Sequence, residues 1–186
     1  MRHAFLFLAL SFAAFGAHAD GFVLTSADVF PNKPIDPRFE FSGFGCSGKN
    51  QSPQLSWSGA PREAKSFAVT VYDPDAPTGS GWWHWLVLNI PASTSSLPPD
   101  AGAQGNLKLP AGAVQVRNDY GVPAWGGICP PPGARPHRYV FTVHALKTPA
   151  IELPDGATAA LAGFMINANT IAKAAFTATN GRPATK

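Results

Sequence analysis

From Ser66 to Asp73 (SFAVTVYD) the side chains alternate. Phe67, Val69, Val71 and Asp73 fall on one side, and Ser66, Ala68, Thr70 and Tyr72 on the other. Alternation with a period of two marks a half-buried strand. Trp83 to Ile90 (WHWLVLNI) and Arg138 to Leu146 (RYVFTVHAL) read the same way. Ala172 to Thr179 predicts a last strand, and Ala113 to Arg117 a short one. Residues 22–60 hold short apolar runs broken by Pro and Gly, with no helical period. Only residues 157–170 are Ala-rich and free of proline, and they follow Pro154-Asp155-Gly156, so a helix is predicted there. Strands dominate this pattern. The expected fold is mainly β, a sandwich of two antiparallel sheets with a few short helices.

Composition narrows the class. The chain has 186 residues, room for one domain, and it shows no internal repeat or linker. Its 18 Gly and 19 Pro argue against a helix bundle, and their lack of period excludes collagen. Hydrophobic residues at 45% and charged residues at 13% exclude a disordered chain. The net charge of +3 comes from scattered Lys and Arg and does not suggest nucleic acid as a partner.

The N-terminus bears on location. Met1-Arg2-His3 is followed by an apolar stretch from Ala4 to Phe15, then by small residues at Ala17 and Ala19. This is the form of a secretory signal cleaved after Ala19. The stretch is shorter than the ~20 apolar residues a membrane-spanning helix needs. Residues 1–19 are therefore expected to be a cleaved signal peptide and 20–186 a single exported domain, periplasmic or secreted, with no transmembrane segment. Cys46 and Cys129 both lie in Gly/Pro-rich loops. In an exported chain such a pair predicts one disulfide. Two cysteines alone cannot build a structural zinc site.

The strand faces locate candidate chemistry. Asp73 shares a face with Phe67, Val69 and Val71. His84 shares one with Leu86, Leu88 and Ile90, while Trp83, Trp85 and Val87 point the other way. His137 and Tyr139 share one with Phe141 and Val143, opposite Arg138 and His144. Asp73, His84, His137 and Tyr139 thus each end an apolar face beside a Pro/Gly loop. If the three faces form one core, these groups cluster at its rim, and Trp82 lies on the His84 side. Titratable groups at the mouth of an apolar core have the form of a small ligand site. Taken singly, each could be a satisfied core polar group, His84 bonded to a backbone carbonyl and Asp73 capping its own loop. His144 reads as structural or exposed. The turn Asp73-Pro74-Asp75-Ala76-Pro77 is expected to contain a cis proline, a low-cost way to reverse the chain sharply.

Three motifs carry a resemblance: DPDAP at 73–77, WWHWLVLNIP at 82–91 and GGICPPPGARPHRYVFTVHAL at 126–146. With their order and separation, they resemble the phosphatidylethanolamine-binding protein family, also called Raf kinase inhibitor-like proteins, over nearly all of residues 21–179. FSGFGCSGKNQSP (41–53) and residues 66–85 are similar to the exported YbcL type within the bacterial YbhB/YbcL group. The resemblance implies a β-sandwich with a small anion pocket at one end, which accepts phosphate or the phosphate of a head group. Carried over by residue, that pocket comprises Asp73, Asp75, Pro77, Trp82, His84, Pro130, Pro131, His137 and Tyr139. Trp83 stands where many eukaryotic members have a second histidine. The chain also ends soon after its last strand, without the C-terminal helix of those members, so a more open pocket is expected.

The expected function is non-catalytic binding of a small anion such as phosphate or phosphoethanolamine, with modulation of a protein partner as a further role. No cofactor, metal or nucleic acid is expected; a homodimer is compatible with the sequence, and it names no protein partner. The same Asp/His cluster could instead serve a metal-dependent or acid/base hydrolase. The chain lacks an HExxH helix, a GxSxG elbow and a free nucleophilic cysteine for that chemistry. A protein-interaction or inhibitor module acting through the loops is the third reading.

Overall fold

The structure, a computed structural model, describes residues 21–184. The expected signal segment 1–19 lies outside the described residues. The central sheet is built from the alternating segments. β5 (Ser66–Asp73) lies between β6 (Trp82–Pro91) and β9 (His137–Leu146), with β8 (Val114–Gln115) and β10 (Thr170–Asn180) at the edges. A smaller sheet pairs β1 (Val23–Thr25), β4 (Leu55–Ser58) and β7 (Ser96–Leu97), and β2 (Ser42–Gly43) with β3 (Cys46–Ser47) makes a separate hairpin. All the strand pairings are antiparallel.

The two larger sheets form the expected sandwich. Leu24, Leu55, Trp57 and Leu97 of the small sheet join Phe67, Val69, Val71, Phe141 and Val143 of the large one in a single apolar core. The outer face of the large sheet is covered by α1 (Ala159–Asn169), whose Ala159, Ala162 and Ile166 pack on Ala68, Leu86, Leu88 and Leu146. Thr158 caps this helix, its hydroxyl accepting from the Leu161 N–H at 3.1 Å. The helix lies within the predicted span 157–170. No helix of the described residues is long and apolar enough to cross a membrane.

One expectation is corrected inside β6. Val71 pairs with Trp85 but Tyr72 pairs with Trp83, so His84 is an extra residue. Likewise Phe67 pairs with Ile90 and Val69 with Val87, which leaves an extra residue near Asn89, where φ is +58°. Each bulge shifts the alternation by one place. Trp85, Val87 and Ile90 therefore enter the sandwich core, while Trp83, Leu86 and Leu88 face the helix. His84 does not share a face with Leu86 and Leu88, as strict alternation predicts.

The expected disulfide joins Cys46 to Cys129, with Cα atoms 6.0 Å apart, and ties the β2–β3 hairpin to the loop before β9. The expected cis proline is absent. No peptide bond among the described residues is cis, including those before Pro74 and Pro77. The turn is made instead by the Asp73 carboxylate, which accepts from the Asp75 N–H at 2.8 Å.

Candidate functional site

Where β5, β6 and β9 meet two loops there is a cavity of about 180 Å³. Asp73, Pro77, Trp82, His84, Pro130, Pro131 and His137 all line it. The adjacency follows from the sheet, since Asp73 pairs with Trp82 and the strands carrying Asp73 and His137 are neighbours. His84 arrives through its bulge, which turns the imidazole onto the inner side beside Tyr139, with ring centroids 5.3 Å apart.

The Asp and His side chains here are buried, and each has a partner. The His137 Nδ1–H donates to Asp73 Oδ2 at 2.7 Å, and both side chains are about 95% buried. His84 Nδ1 lies 2.7 Å from the Gly126 carbonyl. A carbonyl can only accept, so Nδ1 carries the proton. Burial pushes the His84 pKa below its ordinary value, against smaller opposing effects of the Gly126 carbonyl and the Asp73 charge. A neutral His84 keeps a lone pair on Nε2, which has no hydrogen-bond partner among the described residues. The satisfied-core contacts envisaged for His84 and Asp73 are thus present, and both residues still line the cavity. A histidine that enters its strand from a Pro/Gly loop, as His137 does, is expected to be the wetter of the two. It is 4% exposed against 2% for His84, so the two are equally dry.

Two donors at or beside the cavity lack partners. Trp82 Nε1 and the Tyr139 hydroxyl are buried without a hydrogen bond. A buried orphan donor costs about 1–3 kcal/mol, so such groups call for an explanation. Burial also pushes the Tyr139 hydroxyl pKa well up, helped by the Asp73 charge, so it stays a donor. Tyr139 lies behind His84 rather than on the cavity wall.

Asp75 also lies off the wall. Its carboxylate accepts from the Arg138 backbone N–H at 2.9 Å and from Arg138 Nε at 2.8 Å. It accepts further from Arg138 Nη2 and Arg135 Nη2, each at 3.0 Å. The Arg138 guanidinium holds its pKa down to about 2, against a smaller opposing effect of burial. The cavity therefore meets one buried carboxylate, not two.

The remaining wall is Phe44, Ala76, Thr78, Tyr120 and Cys129. Sequence reasoning missed Tyr120, which sits in a loop without periodicity. That loop is organised by Asn118. Its Oδ1 accepts from the Tyr120 N–H at 2.9 Å, and its Nδ2 donates to the carbonyls of Ala124 at 2.9 Å and His84 at 3.2 Å. An Asn-Asp-Tyr-Gly run beside a Pro is a turn signal that could have drawn attention to it. Among the described residues, no three His, Cys, Asp or Glu side chains converge as metal ligands would.

The pattern of the phosphatidylethanolamine-binding protein family matches residues 25–181. The chain belongs to this family. It is 55% identical over 168 residues to the protein YbcL of Escherichia coli, covering 90% of this chain and 92% of YbcL. It is 46% identical over 155 residues to Escherichia coli YbhB, covering 83% of this chain and 97% of YbhB. The crystal structure of Escherichia coli YbcL, described as a new member of the mammalian PEBP family, superposes with a TM-score of 0.84 at 54% identity. That match covers 86% of this chain and 98% of the YbcL chain. Trp83 turns away from the cavity. It packs on Tyr72, with centroids 4.5 Å apart, and over Gly163 of α1.

Proposed function

We propose that the protein is a non-catalytic binding protein whose cavity takes phosphate or the phosphate of a phosphorylated head group such as phosphoethanolamine. The observation that carries this reading is the cavity's inventory. Two buried histidines, the Trp82 ring and a single carboxylate surround a small space. At about 180 Å³ it is smaller than the roughly 300–1,000 Å³ of drug-sized sites, which favours a compact group. The neutral His84 Nε2 and the Asp73 carboxylate are acceptors, so a phosphate ester binds best while it keeps a proton to donate to one of them. Its second pKa is near ~6, which makes that proton available at mild acidity. Membership of the binding-protein family supports the absence of catalysis, and the disulfide supports export to an oxidising compartment.

Calorimetric titration of phosphate and phosphoethanolamine at pH 6, 7 and 8, in two buffers of different ionisation enthalpy, tests this. Affinity should rise as pH falls, with net proton uptake. Binding that strengthens toward pH 8 would overturn the proton-sharing mechanism. Stoichiometric zinc or manganese in purified protein would favour the hydrolase reading instead.

A further inference from the structure

The floor of the cavity is polar but its outer wall is aromatic. Phe44, at the tip of the β2–β3 hairpin, lines the same cavity as Asp73 and His137 yet is 75% exposed. Its backbone lies at φ +51°, in the left-handed region that residues with a side chain rarely adopt. Strain of this kind persists where surrounding structure imposes it, and it points to function. Here the imposing structure is visible. The Cys46–Cys129 bond fastens the hairpin, and Arg182 bridges the adjacent Gly45 and Pro130 carbonyls.

The ring so held joins an aromatic cluster. Phe41 lies on Tyr120 with centroids 4.2 Å apart and planes 20° apart. Phe44 lies 5.6 Å from Phe41 and 5.8 Å from Tyr120, tilted by 31° and 23°. The three centroids thus form a triangle, with Phe44 set beside the Phe41–Tyr120 pair as its exposed corner. Tyr120 in turn meets Trp82 edge-on at 5.2 Å, at the polar floor. A continuous aromatic path therefore leads from the Trp82 ring to the exposed Phe44 ring.

We propose that this path is a subsite for the planar group of an aromatic phosphate monoester, and that Phe44 sets a preference for aromatic over saturated esters. The proposal rests on the phosphate reading above and adds the chemistry of the ester group. The exposed Phe44 ring at the cavity wall can take one further aromatic ring in offset or edge contact, and a saturated ring of equal bulk lacks the complementary edge and face charge.

The test compares phenyl phosphate with cyclohexyl phosphate by calorimetry, beside inorganic phosphate. Phenyl phosphate should bind roughly threefold to tenfold more tightly than cyclohexyl phosphate, the range that one aromatic pair contributes. Phe44→Leu, which keeps apolar bulk, should bring the ratio close to one, and Phe44→Tyr should retain it. Equal binding of the two esters alongside measurable phosphate binding would overturn the shelf and leave the phosphate pocket standing. A preference that survives Phe44→Leu would also overturn it. No binding of phosphate or either ester would overturn both readings.

Discussion

At the scale of single residues, the two cavity histidines differ in partner rather than in burial. The His137 Nδ1–H donates to the Asp73 carboxylate at 2.7 Å, whereas the His84 Nδ1–H donates to the Gly126 carbonyl. His137 therefore fixes the orientation of the cavity's carboxylate. His137→Phe, which removes that contact, should weaken phosphate binding at pH 7. Calorimetric titration of the variant checks this, and an unchanged affinity would contradict it. Asp75 has a structural role by the same reasoning. Its pKa of about 2 lies below the unfolded value near ~3.9, so its folded form favours the ionised state. The stability it contributes is present above about pH 4 and lost as pH falls toward 2. Because its arginine partners are exposed, Asp75→Asn should cost only about 1 kcal/mol at neutral pH. Urea melts should show that difference at pH 7 and a smaller one at pH 3.

At the scale of elements, β6 decides how the site is assembled. Its alternation was legible as a strand, but its faces were not, because two bulges at His84 and near Asn89 interrupt the period of two. The convergence of Asp73, His84 and His137 was anticipated, yet for His84 the face reasoning was wrong. Bulges carry no local composition signal, and these are set by pairing with β5 and by loop contacts such as the Gly126 N–H to the His84 carbonyl at 2.8 Å. By contrast β5 and β9 keep the faces that alternation predicts, because their register runs without interruption from Ser66 to Tyr72. Asp75 was expected in the pocket through resemblance alone. The DPDAP spacing could not reveal that Arg135 and Arg138 enclose it. On the opposite face, His144 links β9 to its neighbours through Thr70 at 3.3 Å and Thr170 at 3.2 Å. Burial, with a smaller effect of the Lys173 charge, lowers its pKa from 6.5 to about 4. The folded protein thus resists protonation that the unfolded chain accepts, so stability falls as pH drops from about 6.5 to 4. The loss attributable to His144 should reach up to about 3 kcal/mol, and His144→Asn should show a correspondingly flatter profile in urea melts from pH 7 to pH 4. Equal slopes in the two proteins would contradict this assignment. His84, also lowered by burial, adds to the same acid window and would remain in the variant.

At the scale of the whole molecule, one covalent link closes a large share of the chain. Cys46 and Cys129 are separated by 83 positions, and the loop they close contains β4 to β8. In the chain-entropy account, such closure restricts the unfolded ensemble by about 4 to 5 kcal/mol. That is a large part of the ~5–15 kcal/mol by which a domain of this kind is stable. The bond also holds Cys129 in the cavity wall, so reduction acts on the site as well as on the fold. Such reliance suits a compartment where thiols stay oxidised and is a liability in a reducing one. The apolar N-terminus ending at Ala17 and Ala19 points to that same compartment. The two observations make a joint prediction. Protein recovered from an extracytoplasmic fraction should begin at Asp20 and release no free thiol when denatured without reductant. After reduction and alkylation, its urea midpoint should fall by an amount worth about 4 kcal/mol. An intact Met1 in that fraction would contradict the export signal. Two titratable thiols would contradict the bond, and an unchanged midpoint would mean that the unfolded chain is already too compact for loop closure to restrict it.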